Sequence, residues 1–102
     1  MLDSNTRGIL EKLIDEAVIK LPALLLVARA NKSAWHIQNE TDYVIGVAHG
    51  SIMTAFLSDF VYRYRREPSS DEMTEASNVI FKRSAELKKA AHVLVVAGMG
   101  RR

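Results

Sequence analysis

The chain contains no cysteine, only two prolines and few aromatic residues. The lack of cysteine excludes several kinds of site. Without cysteine there are no disulfides, no thiolate metal ligands and no cysteine nucleophile. Neither acidic nor basic residues predominate, because the formal net charge of the 102 residues is +2. This small positive excess permits nucleic-acid binding but does not imply it. A chain this short has little core to spare, so we expect one domain, residues 1–102, that gains stability by self-association.

A long uninterrupted hydrophobic run is also missing. Residues 43–61 are the most apolar stretch, but polar residues such as His49 and Asp59 interrupt it, whereas a membrane span needs about 20 predominantly apolar residues. The N-terminus does not show the basic segment and apolar run of a secretory signal. We therefore expect a cytoplasmic protein with no membrane partner.

Helical periodicity is the main signal that is present. Apolar residues recur at three- and four-residue steps over residues 4–30, which predicts an amphipathic helix. Pro22 interrupts this block, so it either kinks one helix or is the first residue of a second. The apolar run at residues 24–28 is also compatible with a buried strand. Beyond this block, Trp35 and Ile37 are expected to fold back onto the core.

A second helical block begins near Asn39 or Thr41, both favourable N-cap residues. It is apolar or small nearly all round, which predicts that it is the central helix. Its expected core stripe consists of Ile45, His49, Ile52, Phe56 and Phe60. Tyr64, near its end, is also expected in the core.

A row of small residues runs along this second block at four-residue spacing. Its members are Gly46, Gly50, Thr54 and Ser58. Each glycine costs about 1 kcal/mol relative to alanine in a helix. We therefore expect another helix to approach this row closely, either within one subunit or across a dimer interface.

The third block has the strongest local signal, a capping box formed by Ser69 and Glu72 directly after Pro68. The block is predicted to run from residue 70 to about residue 97. Large apolar residues within it are spaced by seven, as in a coiled coil: Met73, Ile80, Leu87 and Leu94. Residues 93–96 are rich in β-branched side chains and could be extended instead.

These blocks predict an all-α fold, a small bundle of three to four helices that forms a homodimer. The expected interface includes Gly46, Gly50, Ile80 and Leu87. No spacing of His36, His49 and His92 matches a metal-binding motif, and no catalytic pattern frames any serine. We therefore expect no metal, no cofactor and no catalytic residues.

The best candidate binding segment is the end of the second block, where aromatic residues alternate with arginines. Such a segment can stack on bases and contact phosphates, and lysines of the third block could extend the surface. The candidate surface for nucleic acid or an acidic protein consists of Tyr62, Arg63, Arg65, Arg66, Lys82, Arg83 and Lys89. The alternative is structural, because cations are favoured at a helix C-terminus.

The function expected from these features is that of a non-enzymatic helical interaction or regulatory protein acting as a homodimer. A nucleic-acid-binding dimer that uses the basic and aromatic helix end is the alternative. A small all-α enzyme with a site at the dimer interface is the third hypothesis.

Overall fold

The computed structural model describes residues 2–91, and within them all regular structure is helical. The three long helices are α1 (Ser4–Ala30), α2 (Glu40–Tyr64) and α3 (Ser70–Lys82). A further helical segment, α4, begins at residue 84 and is described as far as residue 91. The all-α class and the number of helices are thus confirmed, whereas residues 93–96 lie outside the described part.

A side-chain cap begins each of the three long helices. Asp3 accepts a hydrogen bond from a backbone N–H three residues later at 2.7 Å, and Asn39 does the same at 2.9 Å. Ser69 and Glu72 bond reciprocally, at 3.1 and 2.8 Å, in the predicted capping box. Each cap satisfies one or two of the N–H groups that a helix start leaves unpaired.

Helix α1 continues through Pro22, so a single helix is the correct alternative, and both a second helix beginning at Pro22 and a strand at residues 24–28 are wrong. Leu21 and Leu25 are fully buried on the same helix face, while Pro22 points to solvent. Since the apolar face stays in register across the proline, packing there outweighs the loss of one backbone hydrogen bond.

The central helix is α1, because it contacts both α2 and α3. The prediction that α2 is central is therefore wrong. The short connection after α2 returns the chain beside the start of α1, where Glu75 of α3 accepts from the Leu2 backbone N–H at 2.8 Å and pairs with Arg7. One face of α2 packs on α1, and most of its remaining surface contacts no other part of residues 2–91.

The buried stripe of α2 matches the predicted one at Ile52, Phe56 and Phe60 but differs at its first two positions. Ile45 is half-buried and His49 is exposed, so their placement on the core stripe was wrong. The stripe begins one residue earlier, and because α2 is apolar nearly all round, its sequence alone did not specify the buried register. Its buried residues follow a four-residue spacing: Val44, Ala48, Ile52, Phe56 and Phe60.

The third predicted block is divided, because α3 ends at Lys82 and Arg83 lies in a turn before α4. Ile80 and Leu87 on either side of this break are buried, as the seven-residue spacing predicted. Leu94, the last member of that series, lies outside the described residues.

The turn between α1 and α2 buries only part of what was predicted. Ile37 is in the core, but the Trp35 side chain is 72% exposed, so its predicted return to the core was wrong. His36 between them has the left-handed backbone conformation, with φ of 55°, which reverses the chain direction. That reversal turns Ile37 inward and leaves Trp35 outside.

Candidate interaction surfaces

The basic end of α2 is largely engaged in contacts with the start of α1. The Arg63 guanidinium donates to Asp59 at 2.8 Å and to the Thr6 hydroxyl at 3.1 Å. The Tyr64 hydroxyl lies 3.0 Å from the Thr6 hydroxyl and donates to Asp3. Bonds from Tyr64 and from the Thr6 backbone lower the pKa of Asp3 to about 2. This network joins the first residues of α1 to the last turn of α2.

Tyr64 itself is 37% exposed, so its predicted burial in the core was only partly right. Its ring lies 4.6 Å from that of Phe60, which is buried, while its hydroxyl reaches the polar network. Tyr64 thus connects the apolar core to that network.

Arg66 is also held by a carboxylate. Its two terminal nitrogens donate to the Glu72 carboxylate oxygens at 2.8 and 3.1 Å, and its guanidinium lies over the Phe60 ring at 5.0 Å. Arg66 and the Ser69 backbone N–H together lower the pKa of Glu72 to about 2. The same carboxylate therefore caps α3 and fixes the end of α2.

Arg83 connects three helices at the break between α3 and α4. It forms ion pairs with Glu86 at 2.7 Å, Asp15 at 2.7 Å and Glu11 at 3.1 Å, and it also donates to the Glu11 backbone carbonyl. Glu86 first, and then the two α1 carboxylates, raise the pKa of Arg83. The four-residue spacing of Glu11 and Asp15, which places both on one helix face, was the only sequence signal for this cluster.

The remaining candidate nucleic-acid residues form two separate groups. Tyr62 is 71% exposed, and the Arg65 guanidinium lies 5.4 Å from the centre of its ring. Lys82 and Lys89 are exposed near the far end of α3. Because α3 has 13 residues, its two ends are about 20 Å apart at 1.5 Å per residue. The seven candidate residues do not converge on one compact patch.

The outer face of α2 is uncharged over a long distance. Residues 43–58 contain no Asp, Glu, Lys or Arg, and this stretch includes the exposed Gly46 and Gly50. A Cβ atom added to either glycine would have no neighbour within 4 Å. No other part of the described chain approaches these glycines, so the prediction of close packing against them within one subunit is wrong.

An apolar groove of about 600 Å³ runs beside this face, between α2 and the α3–α4 segment. Three of the four residues predicted for a dimer interface line it, namely Gly46, Ile80 and Leu87. Gly50 lies one helical turn beyond Gly46 on the same side. Phe81, at the groove, is 75% exposed. Ile80 and Leu87 are themselves buried, so they form its floor.

Helix α2 has 25 residues and a mean hydropathy of 1.5 in its most apolar part, enough in length and composition to cross a membrane. Only 28% of that part is buried within the structure.

Among residues 2–91, no three His, Asp or Glu side chains come together as potential metal ligands. His36 and His49 lie on different elements, and His92 lies outside the described residues. No protein-family model matches this chain, and no similar curated protein or solved structure was found.

Proposed function

We propose that this chain is a non-enzymatic helical interaction protein that acts as a homodimer. The interface is the outer face of α2 together with the adjoining groove. One observation carries the proposal: the exposed face of α2 is uncharged from residue 43 to residue 58, and a Cβ atom added to either of its two glycines would contact none of residues 2–91.

The absence of charge favours a second copy as the partner. In a twofold dimer, the same patch of each subunit faces its copy, so a charged residue near the axis lies close to an identical charge. Such like charges at an interface cost several kcal/mol. The stretch between Asp42 and Asp59 avoids this repulsion along its whole length.

The exposed glycines support a close helix contact. Glycine inside a helix costs about 0.5–1 kcal/mol relative to alanine, and the described residues contain no contact that offsets this at Gly46 or Gly50. A partner helix that crosses at these positions would approach the α2 backbone closely and regain part of that free energy through packing.

The size of the surface is sufficient when the groove is included. A standard interface buries about 800 Å² on each partner. Residues 43–62 extend for about 30 Å along α2, and a strip two helices wide is about 20 Å across. Phe81, which is largely exposed beside the apolar groove, is the side chain best suited to enter the groove of the second copy.

Nucleic-acid binding is less well supported by the same contacts. Arg63, Arg66 and Arg83 are each paired with a carboxylate, so phosphate contacts would have to replace existing ion pairs. The remaining candidate cations, Arg65, Lys82 and Lys89, lie near the two ends of α3 rather than in one stripe.

Sedimentation equilibrium with two matched glycine substitutions tests the dimer. Gly50→Leu and Gly8→Leu both place a side chain where the protomer has free space. We expect the native chain to be a dimer at micromolar concentration, Gly50→Leu to weaken it at least about tenfold by separating the helices, and Gly8→Leu to leave it unchanged. A well-folded native monomer at high micromolar concentration would refute the proposal.

A further inference from the structure

A second apolar surface lies at the other side of the molecule, around the connection between α1 and α2. We define the hairpin tip as residues 17–41, the second half of α1 with the turn and the start of α2. Four of its large apolar side chains are exposed, Ile19 by 75%, Leu26 by 65%, Val27 by 55% and Trp35 by 72%. This surface is separate from the outer face of α2, because none of these four residues lines either groove along that helix.

The exposed residues of α1 lie on the face that points away from α2. Leu21, Leu25 and Ala28 are buried in the core. Ile19 and Leu26 are seven residues apart, so they lie on one helix face, and their exposure places that face opposite the core. No charged residue occurs between Lys20 and Arg29. The first half of α1, by contrast, exposes charged side chains.

The hairpin tip differs in charge from the beginning of the chain. Basic residues exceed acidic ones in the tip, which contains Lys20, Arg29, Lys32 and Glu40. Acidic residues exceed basic ones in residues 2–16, which contain Asp3, Arg7, Glu11, Lys12, Asp15 and Glu16. The part of the chain that exposes large apolar side chains is therefore also the part in which basic residues exceed acidic ones.

We propose that the hairpin tip binds peripherally to the surface of an anionic lipid bilayer. Leu26 and Ile19 enter the boundary between headgroups and acyl chains, and Trp35 lies at that interface, which suits its amphipathic ring. Lys20, which is exposed, contacts anionic headgroups, and Lys32, half-exposed and paired with Glu40 at 3.4 Å, adds to the net positive charge of the tip. This inference replaces the sequence-based expectation that the protein has no membrane partner, and it does not require the α2 dimer.

A bilayer explains the composition of the tip better than a protein partner does. On the exposed α1 face the large side chains of Ile19 and Leu26 project beyond the smaller Ala23 and Ala30, and a fluid acyl layer adapts to such projecting side chains. The long stems of lysines beside such a face can lie along apolar surface with their charges at the headgroups.

The single tryptophan of the chain makes the test direct, because Trp35 is in the proposed contact. The native protein is mixed with vesicles of phosphatidylcholine or with vesicles of equimolar phosphatidylcholine and phosphatidylglycerol. We expect a blue shift of Trp35 emission and co-sedimentation with the anionic vesicles, and much weaker binding to the neutral ones. Raised salt should reduce binding to the anionic vesicles, since it screens the headgroup attraction.

Two glutamate substitutions provide the comparison. Leu26→Glu should lower partitioning onto anionic vesicles at least about tenfold, since it removes buried apolar area and adds a negative charge. Thr74→Glu, which adds the same charge at an exposed residue of α3 that lines neither groove, should leave partitioning unchanged. If Leu26→Glu alters the circular dichroism of the protein, Ile19→Glu takes its place.

The proposal fails if the native chain binds neither kind of vesicle, as expected for a tip that contacts a protein. It also fails if the α1 and α3 substitutions have equal effects. Equal binding to neutral and anionic vesicles would overturn the assignment of anionic headgroups.

Discussion

The two ends of the α1–α2 hairpin are built differently. At the end that includes α3, polar side chains such as Thr6, Tyr64 and Arg66 connect the helices through hydrogen bonds and ion pairs. At the hairpin tip, Glu40 pairs with Arg29 and Lys32, while large apolar side chains such as Leu26 face solvent. The first end holds its own elements together, whereas the second presents a surface suited to something outside the chain.

The difference explains why the arginine-rich segment, the best candidate site in the sequence, is mainly structural in the fold. Charged hydrogen bonds require defined partners, and the start of α1 and the start of α3 supply them to Arg63 and Arg66. Apolar groups at the tip have no partner within the described chain. A contiguous patch of exposed apolar side chains commonly marks an interaction surface.

The largest expected effect lies in the core beneath the polar end. Phe60→Ala should reduce the free energy of unfolding by about 3–5 kcal/mol, the usual cost of removing a buried phenylalanine. The ring is buried and contacts Phe56, Tyr64 and the Arg66 guanidinium. Chemical denaturation followed by circular dichroism measures the change.

The matched substitution at the tip is Trp35→Ala. Because Trp35 is largely exposed, its removal should change the free energy of unfolding by no more than about 0.5 kcal/mol. Equal losses for Phe60→Ala and Trp35→Ala would contradict the proposed division between a structural end and a binding end.

A smaller effect is expected at the start of α3. Ser69→Ala removes the N-cap and half of the capping box, so it should cost about 1 kcal/mol of stability. Ser70→Ala, one residue later and outside the cap, is the control. The difference between their denaturation midpoints isolates the contribution of the cap, and no difference would mean that the Ser69 hydroxyl does not stabilise α3.

A dependence of stability on acid pH is also expected at the polar end. The pKa of Asp3 falls from 3.8 to about 2 on folding, and that of Glu72 falls from 4.5 to about 2. Both carboxylates therefore stabilise the fold fully above about pH 4.5, and this contribution is lost as the pH falls through about 2. Thermal unfolding measured over that range should show the decline.

The Tyr64→Phe variant distinguishes the contribution of Asp3 to this pH dependence from that of Glu72. It removes the hydrogen bond that contributes most to the lowered pKa of Asp3, so the Asp3 pKa should rise toward its ordinary value. The loss of stability at acid pH that is due to Glu72 should remain. An unchanged acid profile in this variant would show that the Tyr64 hydroxyl has no such role.

Local signals in the sequence were sufficient for the helices but not for their arrangement. The caps at Asn39 and Ser69 and the apolar spacing of α1 were predicted because they depend on residues within a few positions of one another. The partners of Arg83 and Tyr64 lie on other helices, at sequence distances of about 60–70 residues. Short-range patterns carry no information on such pairs.

The sequence by itself determined that the chain is helical, that α3 begins after the Ser69 cap, and that the apolar face of α1 stays in register on both sides of Pro22. The tertiary structure decided that α1 is central, that α2 buries the stripe beginning at Val44, and that the glycine row and Trp35 stay outside. The physical reason is that capping and helical periodicity are local properties of the backbone. Which face of a uniformly apolar helix is buried depends on the helices against which it packs.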